Sequence, residues 1–431
     1  MKKIQLVPVS GVKKKLSVQG DKSISHRAVI IGSLAEGLTT VTGFLEAEDT
    51  LNTVRIFKKL GVQIKKDKGT VYIHGRGLAS LRQTPEVLYV GNSGTGIRLI
   101  LGVLAAQPFV SRITGDAQIV KRPMKRVIEP LQMMGASLTS NQGFAPLTVQ
   151  GGSLRAINYK MPMASAQVKS SVLLAGLYAS GDTVITEPER SRDHTERMLK
   201  YFGADLTVKG NTVRLKSGAR LKGKRVVIPG DISSAAYFMA AGALLKKSSI
   251  TVTNIGLNES RTGIIDVMKK MGAKIKITGI KNQNGEKTGD ITVSTSSLKG
   301  IEIKGKIIPR LIDEIPVIAV LAAAAKGKTV IRGAKELRVK ETDRIKTVLT
   351  NLDRLGIKTQ EYEDGFAVFG NNGAPFTYAS IDSYGDHRIA MSFAVAALAS
   401  ENGLLIKDIE CINTSFPEFF TLIKSLKVKK K

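Results

Sequence analysis

Cysteine is nearly absent. Of 431 residues only Cys411 carries a thiol, which excludes an internal disulfide and a thiolate metal cluster and fits a reducing cytoplasm. The four histidines (His26, His74, His194 and His387) show no HExxH-type spacing, so no metal is expected. Tryptophan is missing and aromatics make up 5% of the chain, too few for a base-stacking platform. The 13 prolines are scattered and no low-complexity tract appears, which argues against a disordered or fibrous chain. Apolar runs such as ISSAAYFMAAGALL (232–245) fall short of the roughly 20 residues that cross a bilayer. The start, MKKIQLVPVSGVKKKL, has an apolar run too brief for a secretory signal and is no Arg/Ser-rich transit peptide. A globular chain of two or three domains, without a membrane partner, is the expectation.

Acidic residues are also scarce: 36 Asp and Glu stand against 65 Lys and Arg, a net charge of +29. Such a field attracts polyanions. The lysines, however, are spread through the whole chain, in pairs such as Lys58-Lys59, Lys246-Lys247 and Lys269-Lys270 that read as solvent faces of helices. A diffuse basic coat, without a specific nucleic-acid partner, is therefore expected. It would speed the capture of small anions.

What the sequence does have is repetition. Six segments share a polar Gly/Asp/Asn/Ser start, an Ala/Leu/Ile-rich run and a short β-branched stretch: GDKSISHRAVIIGSLAEG, GNSGTGIRLILGVLAAQ, MASAQVKSSVLLAGLYASG, GDISSAAYFMAAGALLKKS, IDEIPVIAVLAAAAKG and GDHRIAMSFAVAALASENG, starting at 20, 91, 163, 230, 312 and 385. Behind five of them follows an amphipathic run with a glycine stop, as in VRIFKKLGVQI, VIEPLQMMGASL, RMLKYFGADL, IIDVMKKMGAKI and VLTNLDRLGIKT. Glycine there suits a left-handed helix C-cap. The sixth, FFTLIKSLKVKKK, has Lys427 in the glycine slot, and its missing strand can come from KIQLVPV at the other chain end. The pattern predicts six βαβαββ-like units of about 72 residues, three in a domain of 20–229 and three in a domain of 1–19 with 230–431.

The first helix of each unit is apolar nearly all round and must be buried. Only its polar start can meet solvent, and a helix N-terminus presents unpaired N–H groups and a positive dipole end, suited to an anion. The starts carry Lys22, Ser23 and Arg27; Asn92, Ser93, Gly94, Thr95 and Arg98; Ser165, Gln167 and Lys169; Asp231 and Ser233; Asp313 and Glu314; Asp386, His387 and Arg388. Ser, Asn and Asp in such places are ordinarily caps, and the Asp313-Glu314 pair taken alone reads as one. Lys22, Arg27 and Arg388 sit against the dipole and require a compensating anion. Two further basic clusters, KRPMKR (121–126) and RVKETDR (338–344), would on their own pass for solvated loops.

GDKSISHRA, GNSGTGIRL, Lys121-Arg122-Pro123, SAQVKS, SRDHTERML, DEIP, RVKETDR, GDHRIAMS and TSFPEFF, in this order, together resemble the 5-enolpyruvylshikimate-3-phosphate (EPSP) synthase family of enolpyruvyl transferases across nearly the whole chain. GNSGT by itself would be an unspecific phosphate-cradling turn, and no Walker A loop is present. The resemblance implies an α/β protein, a two-domain inside-out α/β barrel built from six βαβαββ-like repeats, three per domain, with the active site in the interdomain cleft. It implies transfer of the carboxyvinyl group of phosphoenolpyruvate to the 5-hydroxyl of shikimate 3-phosphate, with release of phosphate, no cofactor and a cytoplasmic monomer.

Residue by residue, the resemblance implies Lys22, Ser23, Arg27, Ser165, Gln167, Arg192, Asp313 and Lys340 for shikimate 3-phosphate. Lys22, Gly94, Thr95, Arg122, Gln167, Arg344 and Arg388 follow for phosphoenolpyruvate. Lys22, Asp313 and Glu341 are the implied catalytic groups: Asp313 as base near the 5-hydroxyl, Glu341 as acid and base at the methylene carbon, Lys22 assisting. Four anionic groups crowded together would need this many cations, and arginine forks suit carboxylate and phosphate. One departure stands out, because the lysine found shortly before the Phe-Pro in part of the family is Thr414 here, leaving that contact to another residue such as Lys340. Gly94 leaves room that alanine would fill, so competitive inhibition by glyphosate is expected. The related transferase acting on UDP-N-acetylglucosamine typically carries a reactive cysteine in a first-domain loop; here Arg122 stands in that loop and Cys411 lies far away in sequence.

Overall fold

The computed structural model describes residues 2–427. The chain divides into two compact units. The first comprises Gly20–Ile228 with Gln283–Glu286, and the second the chain up to Gln19, Pro229–Asn282 and the chain from Lys287 onward. Each has a separate hydrophobic core.

The first unit contains α1 (Lys22–Leu34), α2 (Glu48–Lys59), α3 (Gly94–Leu104), α4 (Lys125–Met133), α5 (Ala166–Gly176) and α6 (His194–Phe202). The second contains α7 (Ile232–Leu244), α8 (Gly263–Lys270), α9 (Ile315–Ala324), α10 (Arg344–Arg354), α11 (His387–Leu398) and α12 (Phe419–Lys424). The repeated segments of the sequence supply α1, α3, α5, α7, α9 and α11, and almost every residue beyond their first turn is buried. In the first unit α3 packs on both α1 and α5; in the second α7, α9 and α11 all touch one another. Helices occupy the centre because their all-round apolar surface has no solvent face to offer. Each buried Ile or Leu there, Ile318 and Leu321 for example, contributes about 1.5–3 kcal/mol.

Around the helices lie open sheets, each made the same way. Arg225–Val227 runs parallel to Glu36–Thr42, which pairs antiparallel with Thr70–Arg76, itself antiparallel to Gln63–Asp67. The sheets of the other repeats follow this order, and none closes into a barrel of its own. The predicted borrowing by the sixth repeat is present: Lys3–Leu6 pairs antiparallel with Leu404–Lys407, Lys3 opposite Lys407. That sheet has three strands where the others have four, because the strand that would follow α12 has no counterpart among the described residues. Residues 428–431 of the closing basic run lie outside them.

The second helices are amphipathic, and five of them stop just before a glycine in the left-handed region: Gly61, Gly135, Gly203, Gly272 and Gly356, with φ between 72° and 107°. A β-carbon is strained at such an angle. Of the lysine pairs, Lys58-Lys59 and Lys269-Lys270 are exposed at helix ends, whereas Lys246-Lys247 lies exposed in the turn after α7. Among the described residues no helix is long and apolar enough to cross a membrane.

Two central helices approach closely at Gly102 of α3, where an added β-carbon would stand 2.2 Å from the Ser171 carbonyl oxygen of α5. Backbone cannot retreat as a side chain can. Gly102→Ala is therefore expected to destabilise the first unit by about 1–3 kcal/mol, lowering its melting transition in a calorimetric scan. An unchanged transition would show slack between α3 and α5 that this geometry excludes.

Candidate active site

In the first unit, caps fix where each helix begins. Asp21 accepts from Ile24 N (2.9 Å), Ser93 from Gly96 N (3.0 Å) and Ser165 from Val168 N (3.4 Å). Side chains of the first turns then tie α1, α3 and α5 together at their positive ends. Gln167 donates to Thr95 Oγ1 (3.1 Å) and accepts from Arg98 (2.7 Å), and Arg98 also donates to Gly94 O and Pro123 O. Arg27 donates to Ser23 O (2.9 Å), Ser170 Oγ (2.9 Å) and, from α6, Thr195 Oγ1 (2.7 Å). Lys22 Nζ lies 3.0 Å from Asp49 Oδ2 on α2. Arg192 is half-buried on the segment leading into α6.

Arg122 belongs to no solvated loop: it is 7% exposed. Its guanidinium lies over Gly94, whose hypothetical β-carbon would be 2.7 Å from Arg122 Cζ. Glycine at 94 thus permits the guanidinium to approach the start of α3.

His26 ties the two ends of this rim. Its Nδ1 is 2.8 Å from Thr53 Oγ1 and its Nε2 is 3.2 Å from Ser93 Oγ. The Thr53 hydroxyl can donate to Asp49 O (3.5 Å), so its oxygen is left to accept from Nδ1–H and Nε2 accepts from Ser93. That chain requires a neutral ring. Burial, then Lys22 and Arg27, hold the His26 pKa well below its ordinary value.

In the second unit the node is Arg344, 1% exposed at the start of α10. Its Nε donates to Asp386 Oδ2 (2.7 Å), its Nη2 to Glu341 Oε2 (2.5 Å), and its Nη1 lies 3.5 Å from Asp313 Oδ1. Asp386 also caps α11 through Arg388 N (2.8 Å). Arg388 donates to Asp313 O (3.0 Å) and sits 3.9 Å from that residue's carboxylate. Burial opposes the charge of both arginines, yet the carboxylates outweigh it: Asp386 and Glu341 raise the pKa of Arg344, Asp313 and Glu314 that of Arg388.

The Asp313-Glu314 pair does not behave as a cap pair. Glu314 occupies the N-cap position of α9 without a side-chain cap bond, and accepts instead from the Ser233 hydroxyl, which Arg261 also reaches (2.6 Å). Asp313 faces the two arginines. Lys340 is half-buried with Nζ 3.7 Å from Glu336, while Thr414 turns its hydroxyl back onto Cys411 O (2.8 Å).

Within the first unit, then, Lys22, Ser23, Arg27, Gly94, Thr95, Ser165, Gln167 and Arg192 lie at the linked starts of α1, α3, α5 and α6, and Arg122, shortly before α4, sets its guanidinium over Gly94. Within the second, Asp313, Glu341, Arg344 and Arg388 form one cluster with Lys340 beside Glu341 in the chain. Sequence reasoning did not place Asp49, His26, Asp386 or Arg98 in the site. Asp386 is legible as a cap, but its pairing with Arg344, like that of Asp49 with Lys22, joins residues distant in the chain and has no local signal. Among the described residues no group of three or more His, Cys, Asp or Glu could hold a metal ion. His194 is instead paired with Glu286 (2.7 Å).

The family model for EPSP synthase (3-phosphoshikimate 1-carboxyvinyltransferase) matches residues 7–423. A 3-phosphoshikimate 1-carboxyvinyltransferase of Bacillus thuringiensis subsp. konkukian is 50% identical over 429 residues, 99% of this chain and 100% of the relative. One from Geobacillus kaustophilus is 50% identical over 420 residues, 97% of this chain and 98% of the relative. The solved structure of an EPSP synthase from Acinetobacter baumannii superposes with a TM-score of 0.89 at 44% identity, covering 99% of this chain and 98% of that one.

The neutral His26 makes a stability prediction. Below its ordinary pKa of 6.5 an unfolded histidine binds a proton that the native ring refuses, so native stability falls as pH drops and stops falling only when the native ring itself titrates. Compared with His26→Gln, the wild type should lose about 1.4 kcal/mol more per pH unit through this window, read from denaturant midpoints between pH 6.5 and the acid limit of folding. Parallel curves would mean that native His26 titrates normally.

Proposed function

The chain belongs to the EPSP synthase family, and from that premise we propose that it moves the carboxyvinyl group of phosphoenolpyruvate onto the 5-hydroxyl of shikimate 3-phosphate and releases phosphate. This reaction lies on the shikimate route to chorismate and the aromatic amino acids. The observation that carries the assignment of roles is the Arg344 node: two half-buried carboxylates, Asp313 and Glu341, held by one buried guanidinium with Arg388 alongside.

Both substrates are doubly anionic in kind, each with a carboxylate and a phosphate. Arg27, Ser23, Ser165, Gln167 and Arg192 serve shikimate 3-phosphate, together with Lys340. Lys22, Gly94, Thr95, Arg122, Gln167, Arg344 and Arg388 serve phosphoenolpyruvate. Binding an anion relieves the mutual repulsion of these cations and their opposition to the helix dipoles. In the addition, Asp313 takes the proton of the 5-hydroxyl as its oxygen bonds to C2 of phosphoenolpyruvate, and Glu341 delivers a proton to C3, making a methyl group. In the elimination Glu341 takes a methyl proton back, the C2–C3 double bond re-forms and the C2–O bond to phosphate breaks, with Lys22 offsetting charge on the departing group. The 5-hydroxyl proton taken by Asp313 passes to the released phosphate, so protons and charge balance without a cofactor.

The rival acceptor, UDP-N-acetylglucosamine, is disfavoured by the thiol. Burial pushes Cys411 up to about 12, unlike a reactive thiolate. The same reading has the chain work as a monomer in the cytoplasm, and has glyphosate compete with phosphoenolpyruvate beside Gly94.

Phosphate release should require both substrates and survive an added chelator. Lys22→Met and Glu341→Ala should each lower kcat at least about 100-fold; release that ignores shikimate 3-phosphate, or a Glu341→Ala rate within a few-fold of wild type, sinks the assignment. Gly94→Ala, by driving a methyl group against the Arg122 guanidinium, should raise both the glyphosate inhibition constant and the KM for phosphoenolpyruvate. Unchanged inhibition would remove Gly94 from the donor site.

A further inference from the structure

Lys169, in the first turn of α5, is 2% exposed. Its Nζ lies 2.6 Å from Glu187 Oε2 and 2.6 Å from Glu196 Oε1, both carboxylates equally buried. Glu187 follows the strand Thr183–Thr186, and Glu196 stands in the first turn of α6. The chain between them, 188–195, carries Arg192.

The tether is closed from both sides. Glu187 accepts from the hydroxyl of Ser191 and, at 3.4 Å, from its N–H, which holds the residue directly before Arg192. Ser170, the neighbour of Lys169, shares a 2.6 Å hydrogen bond with Thr195, and both bind Arg27. One ammonium thus fastens the whole segment to α5, the helix whose start presents Ser165 and Gln167. Burial pushes the Glu196 carboxyl up and Lys169 pulls it back, as expected where two carboxylates share one cation. Packed leucines would fill the same space without the desolvation cost, so what the triad supplies is a fixed geometry.

We propose that Lys169, through Glu187 and Glu196, is a positioning residue for the acceptor substrate, holding Arg192, Thr195 and Arg27 in register with Ser165 and Gln167. The inference rests on the function proposed above, which makes those residues the shikimate 3-phosphate ligands.

Steady-state phosphate release with each substrate varied in turn tests it on the full chain. Lys169→Met should raise the KM for shikimate 3-phosphate about tenfold or more, with kcat and the KM for phosphoenolpyruvate within about twofold. Ser191→Ala, which loosens the tether without leaving a buried charge, should give a smaller rise of the same kind. Equal increases in both KM values, or no increase in a folded Lys169→Met, overturn the proposal; should that variant fail to fold, an unmoved Ser191→Ala overturns it. A wild-type chain that releases no phosphate from the pair defeats the functional reading and this inference with it, whereas an active wild type with unmoved variants defeats the inference alone.

Discussion

Positive charge held at the positive ends of buried helices is the constraint from which the rest of the molecule follows. Arg344 and Arg388 are both buried, and Arg388 lies in the first turn of α11, where dipole and desolvation both oppose a cation. They persist because Asp386, Glu341, Asp313 and Glu314 surround them. Under the proposed function the acids have two duties, neutralising the arginines when no substrate is present and, for Asp313 and Glu341, handling protons when one is. An incoming phosphate or carboxylate can take over the first duty and release Asp313 and Glu341 for the second. Substrate binding and the readiness of the carboxylates are in this way the same electrostatic event.

The first unit meets the same constraint with less charge. Lys22 has Asp49, and Arg27 donates to two hydroxyls and a carbonyl, which orient its guanidinium. In the proposed function this unit holds substrate, while the carboxylate-rich second unit carries out the proton transfers.

Much of this was legible in the sequence because repetition multiplies a weak signal. A single GDKSISHRA start is only a polar turn before an apolar run; six such starts, with five glycine stops in phase, define helices, strands and the borrowed strand Lys3–Leu6. Local caps were equally readable, since Asp21, Ser93, Ser165, Asp231 and Asp386 each bond a backbone N–H two or three residues on. What stayed hidden was pairing across distance. Nothing near KRPMKR or RVKETDR says that Arg122 and Arg344 are buried, because the groups that cover them, Gly94 and Asp386, lie 28 and 42 residues away in the chain. Asp313 and Glu314 misled for the complementary reason: their local sequence satisfies a cap rule, and only the arriving arginines overrule it.

The surplus charge can be understood on the same terms. Lys22, Lys169, Arg261, Arg344 and Arg388 each meet carboxylates inside the fold, so internal ion networks largely balance themselves and draw on the scarce acids to do so. Much of the net charge of +29 lies on the surface, in exposed pairs such as Lys58-Lys59 and Lys269-Lys270. A coat of this kind raises the local concentration of any small anion without selecting among them. Under the proposed function selection falls to the interior, where a guanidinium fixed by Asp386 and Glu341 can donate to a phosphate or carboxylate only in the geometry those acids already impose.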